Sequence, residues 1–295
     1  MQNSLSEAAA ERRLIVAHRG VSGGNIPCNT LAAYEIALRQ GADMIEIDVE
    51  MSADGKLFIF HPGMEPVHLW CAERLPYMTA EEISRLRYVN FDRAPTQFGV
   101  ATLDAVLEQF GSRCLINVDK FWGHPKEIYQ AIRRHGMTDR VVVKSSLSER
   151  VLTVLEEVAP DLPFMPVVRD THPEHERLMH RRINYIGAEV LFREESAEVA
   201  SEPFLDRMHR DGKLVWVNSI IYNYREQLCA GHSDDRSLTG DPADGWGWLA
   251  GRGFDLIQTD WPLMLREYLE KEGLLRRSRK DPPLIHCTSP LKTDN

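Results

Sequence analysis

The chain has little of what would mark a membrane, disulfide-stapled or nucleic-acid-binding protein. Its longest apolar runs are only a few residues, such as Leu14-Ile15-Val16-Ala17, far short of the roughly 20 needed to span a bilayer. Cysteine is scarce. The five present, Cys28, Cys71, Cys114, Cys229 and Cys287, are scattered and odd in number. No pair has the spacing of a zinc site or a disulfide framework. The first residues, Met1 to Arg13, carry Glu7, Glu11, Arg12 and Arg13 and lack the apolar stretch of a secretory signal. These absences lead us to expect a reduced, cytoplasmic protein. Positive charge is in the minority, 35 Lys and Arg against 44 Asp and Glu for a net charge of −9, which argues against a nucleic-acid partner. A glycine-rich nucleotide fingerprint is also missing, since Gly23-Gly24 follows the first apolar run at the wrong spacing.

What remains is the composition of an ordinary folded domain, 43% hydrophobic and 27% charged in 295 residues. Short apolar runs alternate with helical periodicity. Strands are expected at 14–17, 44–49, 57–60, 114–118, 141–143, 164–168, 190–192, 214–217 and 256–258. Helices are expected at 30–40, 103–110, 128–134 and 151–158. This alternation suits a parallel (β/α)8 barrel, with a doubly wound open sheet as the rival. The link between the second and third strands, which holds Asp54-Gly55, is too short for a helical crossover and resists the regular scheme. Residues 1–272 are expected to form one domain. Within it, the proline-bearing stretch 62–100 reads as an insertion after the third strand and 219–245 as a long loop over one end. Residues 273–295 read as a peripheral tail.

Charged residues gather at the strand ends. Glu46 and Asp48 lie two apart on a strand and point the same way, so the two carboxylates repel unless something positive lies between them. A hard divalent cation would resolve the conflict, with Asp119 on the fourth strand as a third oxygen donor. Pairing with Arg or Lys would resolve it too. His18 and His61 end the first and third strands and suit proton transfer near neutral pH. Arg19 offers a planar fork either for a phosphate or for one of the carboxylates.

In this order the residues resemble the glycerophosphodiester phosphodiesterase family. His18-Arg19-Gly20 is similar to its opening HRG, and residues 26–34 to P-E-N-T-L-x-A-[FY]. Residues 41–49 resemble G-A-D-x-I-E-x-D-V, and Asp54-Gly55 with Phe60-His61 resembles D-G…H-D. Ala101-Thr102-Leu103 resembles P-T-L, and Thr259-Asp260-Trp261-Pro262 resembles T-D-x-P. The resemblance implies an irregular TIM barrel and a divalent metal, Mg²⁺ or Ca²⁺, held by Glu46, Asp48 and Asp119. It implies His18 and His61 as the acid–base pair, and a small phosphodiester cleaved to a polyol phosphate, such as glycerol 3-phosphate, and an alcohol. Trp216 and Asn218 resemble a W-[TV]-x-N segment, which places Trp216 at the substrate pocket or in the core.

The chain departs from the pattern at three places. Cys28 stands for Glu, Pro62 for the Asp after the second histidine, and Phe121 for the Lys of E-x-K. Lys120, one position early, and Lys144 are the candidate replacement cations. The same chemistry on a sugar phosphodiester or a lysophospholipid headgroup is an alternative, and so is a non-catalytic phospholigand-binding protein. Membrane contact is not expected. Its only hints are Trp246, Trp248 and the basic stretch 276–280.

Overall fold

The computed structural model describes residues 4–223 and 225–276. It contains nine strands: β1 Leu14–Ala17, β2 Met44–Met51, β3 Leu57–Ile59, β4 Leu115–Asp119, β5 Val141–Ser146, β6 Phe164–Arg169, β7 Gly187–Leu191, β8 Leu214–Asn218 and β9 Leu256–Thr259. Eight of them pair in parallel in the circular order β1-β2-β4-β5-β6-β7-β8-β9, and β9 returns to β1. The sheet is therefore closed, and the open-sheet alternative falls away.

Strand parity builds the core. Leu14, Val16, Met44, Leu115, Val142, Met165, Leu214, Trp216 and Leu256 fill the barrel interior. Their neighbours, among them Ile15, Ala17, Ile45, Ile47, Ile116, Val118, Val215 and Val217, face the helices. Leu5 and Ala9 of the helix Ser4–Glu11 join the interior cluster. The helix Leu31–Arg39 starts on Thr30, whose hydroxyl accepts from the Ala33 N–H, and Leu103–Phe110 starts in the same way on Thr102.

The awkward link after β2 is a hairpin. β3 runs antiparallel to β2, with Val49 opposite Ile59, and the turn between them holds Gly55 at φ +84°. The third strand is therefore not one of the eight barrel staves, which explains why its connection is short. The inserted segment after it has a small core of its own, made by Phe58, Phe60, Leu69, Leu75, Ile83, Tyr88 and Val100. Residues 219–245 are more ordered than a loop, for they contain the helix Asp234–Thr239 and lead into a wide helical turn, Ala243–Gly247. Trp246 is buried, and Trp248, half-buried, stacks on His232 with ring centres 3.9 Å apart.

No helix among the described residues is long and apolar enough to cross a membrane. The chain stays with the barrel as far as Leu275, whose carbonyl accepts from the Arg13 N–H at 2.9 Å. Residues 277–295, most of the expected tail and most of its basic stretch, lie outside the described residues, as does Cys287.

Candidate active site

The parity that places Leu14, Met44 and Leu115 inside the barrel brings polar residues inward at the carboxyl ends of the strands. Glu46, Asp48, Asn117, Lys144, Glu189, Asn218 and Gln258 are all buried there. In a low-dielectric interior each charge needs a partner. Asp48 has three. Asn29 Nδ2 donates to Oδ2 at 2.9 Å. Arg19 Nε lies 2.9 Å from the same oxygen, without the alignment of a hydrogen bond. Lys120 Nζ is 3.7 Å from Oδ1 and only 2.7 Å from Asp119. All three partners adopt left-handed backbone, with φ of 57° at Arg19, 56° at Asn29 and 62° at Lys120. Non-glycine residues take that conformation at a cost, and clusters of it mark functional sites. Gly20 beside Arg19 is required as well, since a Cβ there would meet the Ala33 backbone at 2.7 Å.

Ligand atoms of Glu46, Asp48 and Asp119 lie within 4.8 Å of one another. Burial, then the charge of Asp48, pushes the Glu46 carboxyl up to about 7. Asp119 is held below the ordinary carboxylate range because Lys120 and Lys144 outweigh the effect of its burial. The cluster suits a hard divalent cation on three grounds. Its donors are all carboxylate oxygens. Asp48 Oδ1 is buried without a hydrogen-bond partner. The charge of Asp48 raises Glu46, a repulsion that a cation between them would relieve. A cavity of ≈150 Å³ opens onto Glu46 and Asp119, lined also by His18, Arg19, Lys144, Asn218 and Tyr222. Cation pairing and room for an ion thus coexist at the cluster.

The two histidines differ in their surroundings. His18 Nδ1 lies 2.9 Å from Asp260 Oδ1, so this nitrogen carries the hydrogen. Burial pulls the imidazole down, but the bond to Asp260 and the charges of Glu46 and Asp260 leave it above the usual histidine value. His61 lines a narrow slot with Arg19, Cys28, Asn29 and His68. Its Nδ1 meets the carbonyl of Pro62 at 3.1 Å, which leaves Nε2 with the lone pair. Burial, helped by Arg19 and Lys120, holds His61 below the usual value. Arg19 is common to the cavity and the slot, so both imidazoles stand on the same rim of the barrel.

The three departures from the family pattern have structural consequences. The carbonyl of Pro62 takes the orienting place of the missing side chain. Phe121 turns outward into the helix-facing core, while Lys120 sends its ammonium back onto Asp119. Cys28 Sγ lies 3.9 Å from His68 Nδ1, and burial raises the thiol to about 11, so it stays neutral. Lys144 pairs with Glu189 at 2.6 Å and sits 3.9 Å over the ring of Trp216. Trp216 is fully buried beneath that ammonium, in the barrel interior. Sequence reasoning missed Glu189, Gln258, Asn29 and the pairing of Asp260 with His18. Parity would have found Glu189, had β7 been started at Gly187 in place of Val190. A larger groove of ≈750 Å³, lined by His232 and Trp248, holds none of these residues.

Fold and site together define a closed (β/α)8 barrel with a carboxylate and histidine centre at the carboxyl ends of its strands. Comparison with known proteins narrows the class. The chain is 30% identical over 159 residues to a glycerophosphodiester phosphodiesterase of Caldanaerobacter subterraneus subsp. tengcongensis, a match covering 51% of this chain and 65% of that protein. Its fold matches a glycerophosphoryl diester phosphodiesterase of Parabacteroides distasonis at a TM-score of 0.75 and 18% identity, covering 96% of this chain and 97% of the other. A phosphodiesterase of Oleispira antarctica, solved in complex with the product sn-glycerol-3-phosphate, matches at 0.63 and 22% identity over 88% and 97% of the two chains. A family model described as a domain of unknown function matches residues 164–269. The chain is thus similar in sequence and in fold to glycerophosphodiester phosphodiesterases. It spans less than two thirds of the length of the first curated relatives it matches, 65% of one and 60% of another.

Proposed function

We propose that the protein is a metal-dependent phosphodiesterase that cleaves glycerophosphodiesters into a polyol phosphate and an alcohol. The supporting observation is the pairing of two differently tuned histidines with one carboxylate cluster on a single barrel rim. Glu46, Asp48 and Asp119 would hold Mg²⁺ or Ca²⁺, which when bound offsets charge on the phosphate. Arg19 adds a fixed positive fork beside it, and Lys120 helps hold Asp119 below the ordinary carboxylate range. His61, held neutral with Nε2 free, takes the proton from the attacking hydroxyl. His18, held protonated by Asp260, gives its proton to the oxygen of the leaving alcohol. The attacking hydroxyl is the glycerol's own neighbouring one, and water then opens the cyclic phosphate with the two histidines in exchanged roles. Lys144, Glu189, Asn218 and Gln258 give the cavity polar walls suited to a polyol. Trp216 supports Lys144 from below. The reading carries with it a reduced, cytoplasmic setting, in keeping with the four unpaired cysteines among the described residues.

The test is a panel of glycerophosphodiesters with Mg²⁺ or Ca²⁺, run on the protein and on separate His18→Ala and His61→Ala variants. We expect release of glycerol 3-phosphate by the protein and its loss in both variants. Near-normal turnover in either variant overturns the pairing. A sugar phosphodiester or lysophospholipid cleaved better than every glycerophosphodiester would move the substrate and keep the chemistry. Binding of a diester without release of any product would leave only a phospholigand-binding role.

A further inference from the structure

One buried carboxylate outside the site is bonded more densely than any group within it. Asp234 lies at the start of the helix Asp234–Thr239, in the segment that crosses from β8 to β9, and is 3% exposed. Its Oδ1 accepts from Ser219 Oγ at 2.6 Å, Trp246 Nε1 at 2.8 Å and Thr259 Oγ1 at 2.8 Å. Its Oδ2 accepts from the backbone N–H of Asp260 at 2.9 Å. Its own N–H donates to the Ser219 carbonyl at 2.7 Å, which ties the helix start to the end of β8. Asp234 therefore grips the last residue of β9, Thr259, and Asp260 just beyond it, beside His18.

We propose that Asp234 is a positioning residue that acts on His18 through Asp260. The inference rests on the reading of His18 as an acid–base group. Asp260 needs help to serve as the partner of His18, because its side chain is 47% exposed. An exposed carboxylate on a short strand end samples many rotamers, and each one lost to a fixed geometry has an entropic cost. Charged hydrogen bonds to a buried carboxylate are strong and directional. Fixing the Asp260 backbone through Oδ2, and the preceding Thr259 through Oδ1, limits where the Asp260 carboxylate can stand. The His18 N–H in turn donates to the Thr259 carbonyl at 3.1 Å, so imidazole and carboxylate are referenced to one anchored residue pair. Trp246 thereby acquires a part in the site, although it lines no cavity there. The groups facing His18 are Asp260 from β9, Glu46 from β2, Arg19 beside it and the Tyr222 ring at 6.5 Å. Only Asp260 among them is bonded to Asp234.

The variants Asp234→Asn and Trp246→Phe test the relay, each alone and combined with Asp260→Ala. Asp234→Asn keeps the shape but sets an N–H₂ against one of the donors. Trp246→Phe keeps an aromatic, though smaller, ring while removing the bond to Asp234, a second and uncharged route to the same loss. The first readout is the titration of the His18 imidazole by NMR, which needs no substrate. Its midpoint should fall in Asp234→Asn, in Trp246→Phe and in Asp260→Ala. Neither of the first two changes should move it further once Asp260 is Ala. The second readout is turnover on the diester panel. Here kcat should fall about threefold to tenfold in Trp246→Phe and more in Asp234→Asn, with KM within about twofold. Both losses should vanish in the Asp260→Ala background. Midpoint shifts and rate losses that persist undiminished in that background overturn the relay, and so does an unmoved His18 midpoint in Asp234→Asn. If no diester is cleaved, the proposed function fails while the NMR arm still decides the relay.

Discussion

At the scale of single residues, the proposed chemistry rests on the different tuning of the two imidazoles. His18 stands above the usual histidine value because of Asp260 and Glu46, and His61 stands below it because of burial beside Arg19 and Lys120. His61 must be neutral to take a proton, so activity falls as pH drops below its value, under 6.5. His18 must be protonated to give one, so activity falls again as pH rises past its value, above 6.5. The expected profile of kcat is a bell bounded by the two imidazoles, and Asp260→Asn should bring the alkaline limb to lower pH with the acid limb in place. Removing either imidazole should cost about a hundredfold or more. A third histidine reports on stability instead. His172 is buried, and burial followed by the nearby His175 holds it at about 4. Its folded value lies below the unfolded one of 6.5, so the unfolded chain takes up the proton first as the pH falls. Stability is therefore lost between pH 6.5 and pH 4, by about 3 kcal/mol in full. Thermal melts of the protein and of His172→Gln across that range should show the steeper loss in the protein.

At the scale of elements, the strands were legible where apolar residues dominate the run and less so where glycine and charge interrupt it. β1, β2, β4 and β9 were anticipated because their buried runs stand out, and the alignment of Glu46 with Asp48 followed from the two-residue repeat. β7 was placed too late because Gly187 and Glu189 break its apolar signature, and Glu189 was lost with it. Its glycine is structural. A Cβ at Gly187 would lie 2.1 Å from the Leu214 carbonyl oxygen of the neighbouring strand. Gly187→Ala should cost about 1–3 kcal/mol or more, read as a lowered melting temperature with the pairing of β7 and β8 disturbed. The helix Leu103–Phe110 was anticipated over its full span because its apolar residues recur at helical spacing, and the structure starts it on the Thr102 cap. Thr102→Ala should lower stability by about 1 kcal/mol and leave activity unchanged. The helix Asp234–Thr239 was not anticipated, since its sequence is polar and its reason for forming lies in the bonds that Asp234 makes to distant strands.

At the scale of the whole molecule, barrel closure is what turns scattered residues into a site. Positions 18, 46, 48, 61 and 119 lie on four strand ends, and pairing of β9 with β1 brings the rim together. Motif order revealed most of that set in advance. Side-chain substitutes such as the Pro62 carbonyl could not be foreseen, because a backbone group leaves no mark in a residue pattern. The return of Lys120 onto Asp119 depends on a left-handed backbone that no residue type announces. The central claim is that this rim hydrolyses glycerophosphodiesters with the help of a divalent cation. It is tested most directly by following glycerol 3-phosphate release from glycerophosphodiesters after chelation and after return of Mg²⁺ or Ca²⁺. Chelation should abolish the release and return of the ion should restore it. Release at an unchanged rate in the chelated protein, or none with either ion present, would contradict it.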